Sequence, residues 1–268
     1  MSQNIIVTGG AGYIGSHTVV ELIDSGFTPI IIDNFSNSNP EIITRLEKIC
    51  KQKIKVHNLN CTDKKSLTEN IKWNEVDGIV HFAAYKSVAE SFQKKEDYFF
   101  NNIESTKILL NIIEKYNIPS FVFSSSCTVY GNPTKLPVTE KTELKKQSSP
   151  YGETKKICEE LISSSTIENF TILRYFNPIG AHESSLIGEQ PSNNPNNLVP
   201  LICQCAIGKI KKLTVYGNNY DTKDGTCIRD YIHVCDVAQA HVQALKNMIT
   251  NNKYRRVFNI GLSKDTAT

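Results

Sequence analysis

At 268 residues the chain can form one large α/β domain, or a large domain with a smaller lobe, around a substantial core. A hydrophobic content of 40%, a charged content of 21% and a net charge of +3 are ordinary for a soluble globular protein. The basic excess is too small, and too little interleaved with aromatics, to indicate nucleic acid or a membrane surface as a partner.

The first apolar run begins by Asn4, which leaves no room for a secretory signal. From there "NIIVT", "TPIIID", "KIKVHNL", "GIVHF", "SFVFSS" and "FTILRYF" read as strands. Helical patterns between them start near Gly12, Glu41, Lys64, Asp97 and Pro150. Ile/Val-rich strands alternating with helices, without tight hairpin turns, predict a doubly wound α/β fold of the Rossmann type, its parallel sheet buried on both faces. This unit is expected over residues 1–176. After Asn177 the chain becomes rich in Gly, Pro, Ser and Asn. A smaller substrate-binding region is expected over 177–268, with some segments returning to the first unit. No apolar run reaches the length of about 18 residues that spans a bilayer. The eight cysteines lack paired zinc spacing and are expected to be reduced structural thiols in a cytoplasmic compartment, with no metal site.

In "IIVTGGAGYIGSHTVVELIDSG" a strand meets a glycine turn and then a helix. Gly9 or Gly10, with Gly12 and Gly15, let the chain turn tightly and bring backbone N–H groups at a helix N-terminus against a pyrophosphate. Asp33 closes the second strand at close to the spacing of about 20 residues expected of a ribose-binding carboxylate. Such a carboxylate would repel a 2′-phosphate, so NAD is favoured over NADP as the cofactor.

"SSPYGETKK" opens a helix, with Ser148 or Ser149 as its cap and Pro150 in its first turn. Tyr151 and Lys155 then share a face, so the ammonium can act on a phenol held at the same ligand. Lowering a tyrosine pKa from about 10 to near 7 needs about 4 kcal/mol. One cation at about 5 Å with an effective dielectric of 20 supplies roughly 3 kcal/mol. The positive ring of an oxidised nicotinamide would supply the rest. The serines of "SSSCTVYG" end a strand at the carboxyl edge of the sheet, where open α/β folds bind ligands. Ser126 is placed to bridge a substrate oxygen and the tyrosine, and Ser124 lies nearer the cofactor.

Together with "IIDNFSNS", "HFAAYKSVAES", "LRYFNPIGAH", "PNNLVP" and "DGTCIRDYIHVCDVA", these motifs resemble the UDP-galactose 4-epimerase family of extended short-chain dehydrogenases, from residue 4 to about 262. The resemblance implies interconversion of UDP-galactose and UDP-glucose on NAD through a 4-keto sugar. In it, Tyr151 is the acid–base group, Lys155 holds the nicotinamide ribose and Ser126 bonds the reacting hydroxyl. It further implies cofactor contacts at Tyr13, Ile14, Asp33, Asn34, Phe35, Ser36, Asn37, Ser38, Asn60, Cys61, Phe82, Ala83, Ala84, Lys86, Asn101 and Phe176. UDP-sugar contacts are implied at Lys86, Asn177, Asn197, Leu198, Thr214, Val215, Tyr216 and Arg229. A homodimer through the helices around 97–117 and 150–165 is implied as well.

Three positions depart from the family pattern: Asn60 replaces an aspartate, Tyr85 a leucine and Cys127 an alanine. The chain ends at "NIGLSKDTAT", where the family continues with another arginine and aspartate for the UDP-sugar and the residue gating sugar size. Two other readings follow from the residues. One is a different NAD-dependent sugar-nucleotide enzyme, a 4,6-dehydratase or decarboxylase, although Cys127 and Thr128 stand where dehydratases have an Asp-Glu pair. The other is a shortened NAD-binding protein without turnover.

Overall fold

The computed structural model describes residues 2–190, 197–215, 217–251 and 253–262, and the backbone of 266–267. Its elements run β1 (Asn4–Thr8), α1 (Tyr13–Asp24), β2 (Thr28–Asp33), α2 (Glu41–Cys50), β3 (Lys55–Asn58), α3 (Lys64–Asn70), β4 (Gly78–His81), α4 (Val88–Gln93), α5 (Lys95–Tyr116), β5 (Phe121–Ser126) and α6 (Pro150–Ser164). There follow β6 (Phe170–Tyr175), β7 (Asn177–Ile179), α7 (Leu198–Ala206), β8 (Ile228–Arg229), β9 (Tyr231–His233), α8 (Val234–Thr250), β10 (Arg255–Ile260) and β11 (Thr266–Ala267).

Alternation along β1 shows why its run is apolar throughout. Ile5 and Val7 enter the core shared with α1, α2 and α8, whereas Ile6 enters the opposite core beneath α3, α5 and α6. A strand covered on both faces has no solvent side for polar residues. The six predicted strands all form. With β10 they make a seven-stranded sheet in the order β10-β6-β5-β4-β1-β2-β3, parallel at every pairing. The order reverses between β1 and β4, which opens the crevice where doubly wound sheets bind ligands.

Strand β10 was not read from the sequence. It is an edge strand, and the exposed Arg255 and Arg256 break its apolar run, a common feature of sheet edges. Helix α8 packs on α1, so both α8 and β10 of the later segment complete the first unit. Outside the main sheet, β7 pairs with β9 and β8 with β11. Among the described residues no helix is long and apolar enough to cross a membrane.

Candidate active site

A cleft of about 1630 Å³ runs along the carboxyl ends of the strands from β3 to β6. That exceeds the roughly 300–1,000 Å³ of ordinary small-molecule pockets and suits a long ligand. Its floor is the glycine turn. Gly9 has a φ of +69°, and a Cβ there would lie 2.8 Å from the Ala83 backbone nitrogen. A Cβ on Gly15 would overlap the carbonyl oxygen of Gly9. Glycine at these positions lets α1 close on β1 and aim its first N–H groups into the cleft.

Asp33 ties this turn to β2. Its buried carboxylate accepts from Ala11 N at 3.0 Å, Phe35 N at 2.9 Å and Ser38 Oγ at 2.9 Å. A carboxylate has about four lone-pair sites, so capacity remains for a ligand hydroxyl. Asn34, Ser36, Asn37 and Ser38 line the same end, as do Asn60 and Cys61 after β3. Asn60 Oδ1 already accepts from Thr62 N at 3.0 Å. Phe35 instead packs against the core under α1 and α2.

In the middle stand Tyr13 and Ile14 at the start of α1, and Phe82, Ala83, Ala84 and Lys86 after β4. The Tyr13 hydroxyl donates to Gly180 O at 2.7 Å. Lys86 Nζ pairs with Glu189 at 3.6 Å, and Asn197 Nδ2 donates to the same carboxylate at 2.7 Å. Asn101 also lines the cleft, its amide donating to Asn102 Oδ1 at 3.1 Å.

The far end is built by β5, β6 and α6. Ser149 caps α6 by accepting from Gly152 N at 3.1 Å, with Pro150 in the first turn. Tyr151 and Lys155 are both buried and both face the cleft. Lys155 Nζ donates to Ser124 O at 2.8 Å and lies 6.0 Å from the Tyr151 ring centre. Burial pulls the Lys155 pKa down to about 8, opposed by Cys158 and Glu159. Burial pushes the Tyr151 phenol up, the Tyr175 phenol adds to this, and a hydrogen bond with Ser126 works the other way. The phenol therefore stays protonated in the protein alone, and making it a base calls for added positive charge beside it. Ser124 and Ser126 are buried at the end of β5, directly behind this pair.

Several predicted residues stand away from the cleft wall. Phe176 lies against Gly261, and Asn177 Nδ2 donates to Asp230 O at 3.0 Å. Leu198 opens α7, while Thr214, Val215 and Arg229 are exposed. In the segment carrying those last three, β8 pairs with β11 over two residues, and Arg229 is near enough to Cys127, the residue after Ser126, to act on its thiol electrostatically. Tyr216 lies outside the described residues.

Among the groups missed from sequence are Tyr175 and Glu189 in the cleft and, behind Tyr175, His241. Tyr175 was discoverable, since it closes β6 at the same register as Ser126 on β5, the strand-end position that had marked Asp33. Glu189 sits in an aperiodic loop and His241 on the buried side of a helix, where neither position carries a local signal.

Residues 5–261 match the model of the NAD dependent epimerase/dehydratase family. The chain is 45% identical over 268 residues to the UDP-glucose 4-epimerase of Dictyostelium discoideum, covering 98% of this chain and 78% of the relative. Among solved structures it is similar to the UDP-glucose-4-epimerase from Stenotrophomonas maltophila with bound NAD and formylated UDP-arabinopyranose. The TM-score is 0.93 at 39% identity, over 99% of this chain and 80% of that one. The UDP-glucose 4-epimerase from Bifidobacterium longum in complex with NAD+ and UDP gives a TM-score of 0.90 at 39% identity, over 99% and 80%. With its switch-point cleft, glycine turn and phenol–ammonium pair, the chain belongs to the NAD-dependent epimerase/dehydratase family and, within it, to the UDP-glucose 4-epimerases.

Proposed function

We propose that this chain binds NAD and interconverts UDP-galactose and UDP-glucose. The observation that carries this reading is the meeting of buried Tyr151, Lys155 and Ser126 beside a glycine cradle, in a chain 45% identical to a UDP-glucose 4-epimerase. The residues fit NAD: a Cβ at Gly9 or Gly15 would fill space the backbone needs, and Asp33 keeps acceptor capacity at one end of the cleft. Asp33 and the Asn34–Ser38 turn would hold the adenosine ribose, α1 the pyrophosphate, and Tyr151 with Lys155 the second ribose.

Bound there, NAD would supply reversible hydride chemistry and, in its oxidised form, a positive charge beside the phenol. Tyr151 takes the proton of the sugar 4-hydroxyl and gives it back once the keto sugar has presented its other face. Ser126 bonds both that hydroxyl and the phenol and so lines up the proton path. Lys155, anchored on Ser124 O, adds its charge to the acceptor. Lys86 and Asn197, on the rim, are the best-supported UDP-sugar contacts. Elimination chemistry is disfavoured because Cys127, which burial pushes up to about 11, cannot replace a carboxylic acid.

Conversion of UDP-galactose to UDP-glucose without an external reductant tests the reading, and absence of turnover with NAD bound would overturn it. Asp33→Asn should weaken NAD binding about tenfold, the worth of one charged hydrogen bond, and narrow the preference over NADP; calorimetric titration with both dinucleotides measures this. A second copy of this chain is the proposed partner, through α5 and α6. The Phe100 side chain, 64% exposed on α5, supports a covered face there, and sedimentation should give twice the monomer mass. A reducing, cytoplasmic compartment agrees with eight free thiols.

A further inference from the structure

His241, Ser124 and Tyr175 form a chain of contacts from α8 to the cleft wall. His241 is buried on α8, and its Nδ1 lies 2.7 Å from Val237 O. A carbonyl oxygen only accepts, so Nδ1 carries the proton. Burial holds the imidazole pKa down at about 4, so near neutral pH the ring is uncharged and Nε2 offers a lone pair. Nε2 is 3.4 Å from Ser124 Oγ, which is 2.9 Å from the Tyr175 hydroxyl. Ser124 has a single proton, which we place on the contact with Nε2 because that unprotonated nitrogen can only accept. Tyr175 must then donate to Ser124, since otherwise two lone pairs would face each other across that contact. The Tyr175 oxygen, on a side chain that lines the cleft, is left to act there only as an acceptor.

The surroundings preserve this polarity. Phe82 and Tyr175 are the rings nearest His241, at 4.6 and 6.2 Å between centres. Lys155, the cation that α6 brings to this end, is bonded to the backbone oxygen of Ser124 and leaves the hydroxyl free for the chain. The position of Tyr175 indicates its ligand. Asp33 marks the adenosine end of the cleft at β2 and α1 marks the pyrophosphate, so Tyr175 on β6 stands at the nicotinamide end. The nitrogen donor at that end of the dinucleotide is the carboxamide amino group.

We infer that His241, through Ser124, fixes Tyr175 as the acceptor for the nicotinamide carboxamide and thereby sets the orientation of that ring. His241 and Ser124 act as positioning residues, and the inference rests on the NAD reading above. A site built to accept from a ligand N–H discriminates against an analogue lacking it, because the buried acceptor is then left unpaired. Cofactor-free full chain should be titrated calorimetrically with NAD and with acetylpyridine adenine dinucleotide, in which a methyl replaces the amino group. Wild type is expected to favour NAD by about tenfold. Tyr175→Phe and His241→Leu should reduce that preference to below about twofold, and His241→Gln, whose amide oxygen reaches the Nε2 position, should restore it. Equal weakening of both dinucleotides by Tyr175→Phe and His241→Leu would overturn the inference, as would a wild type that does not discriminate. Failure of wild type to bind either dinucleotide would overturn the NAD reading itself, and this inference with it.

Discussion

Tyr151→Phe is expected to lower turnover of UDP-galactose by about 10²–10⁴-fold, the usual contribution of a positioned acid–base group, while the protein stays folded and keeps its cofactor. Phenylalanine preserves the buried ring and removes only the hydroxyl. Lys155 Nζ remains on Ser124 O, and Ser126 Oγ keeps its contact with Thr128 Oγ1 at 3.0 Å, so the neighbours do not collapse. The nearby Tyr175 cannot take over. Its hydroxyl bonds Ser124 at 2.9 Å, and burial lifts its pKa to about 12. A coupled assay measures the loss, and absorbance of the nucleotide released on denaturation checks cofactor retention. Undiminished turnover would move the proton transfer to another residue.

The second large effect is on stability. Arg174 on β6 donates to Glu159 on α6 through Nε, to Oε1 at 3.0 Å, and through Nη2, to Oε2 at 2.5 Å. The two side chains are only 6% and 5% exposed. Ser125 Oγ donates to the same carboxylate, Arg174 Nη1 donates to the Tyr130 hydroxyl at 3.0 Å, and that hydroxyl donates to Asn259 Oδ1 at 2.6 Å. The network joins β5, β6, β10 and α6, the helix that carries Tyr151 and Lys155. Arg174→Met would strand a buried carboxylate and should cost about 3–5 kcal/mol. Combining it with Glu159→Leu removes that stranded charge and should recover most of the loss. Urea denaturation of the two variants and wild type distinguishes these outcomes; a single variant within about 1 kcal/mol of wild type, the range of an exposed pair, would show that the pair contributes little.

What the sequence alone determined here is local. The glycine turn, the Ser149 cap with Pro150, the shared face of Tyr151 and Lys155, and the strand–helix alternation each depend on backbone geometry within a few residues, which side-chain type and spacing report directly. The tertiary structure decided what meets across the sheet. It brought Arg255–Ile260 to the edge beside β6, Glu189 to Lys86 across the cleft, Arg174 to Glu159, and Tyr175 and His241 to Ser124, from 51 and 117 residues away. No sequence interval encodes such meetings, because they follow from strand order and from the packing of helices on both faces of the sheet. The same holds for Thr214, Val215 and Arg229: their motif is readable, but where these exposed residues stand relative to the cleft depends on how the later segment packs.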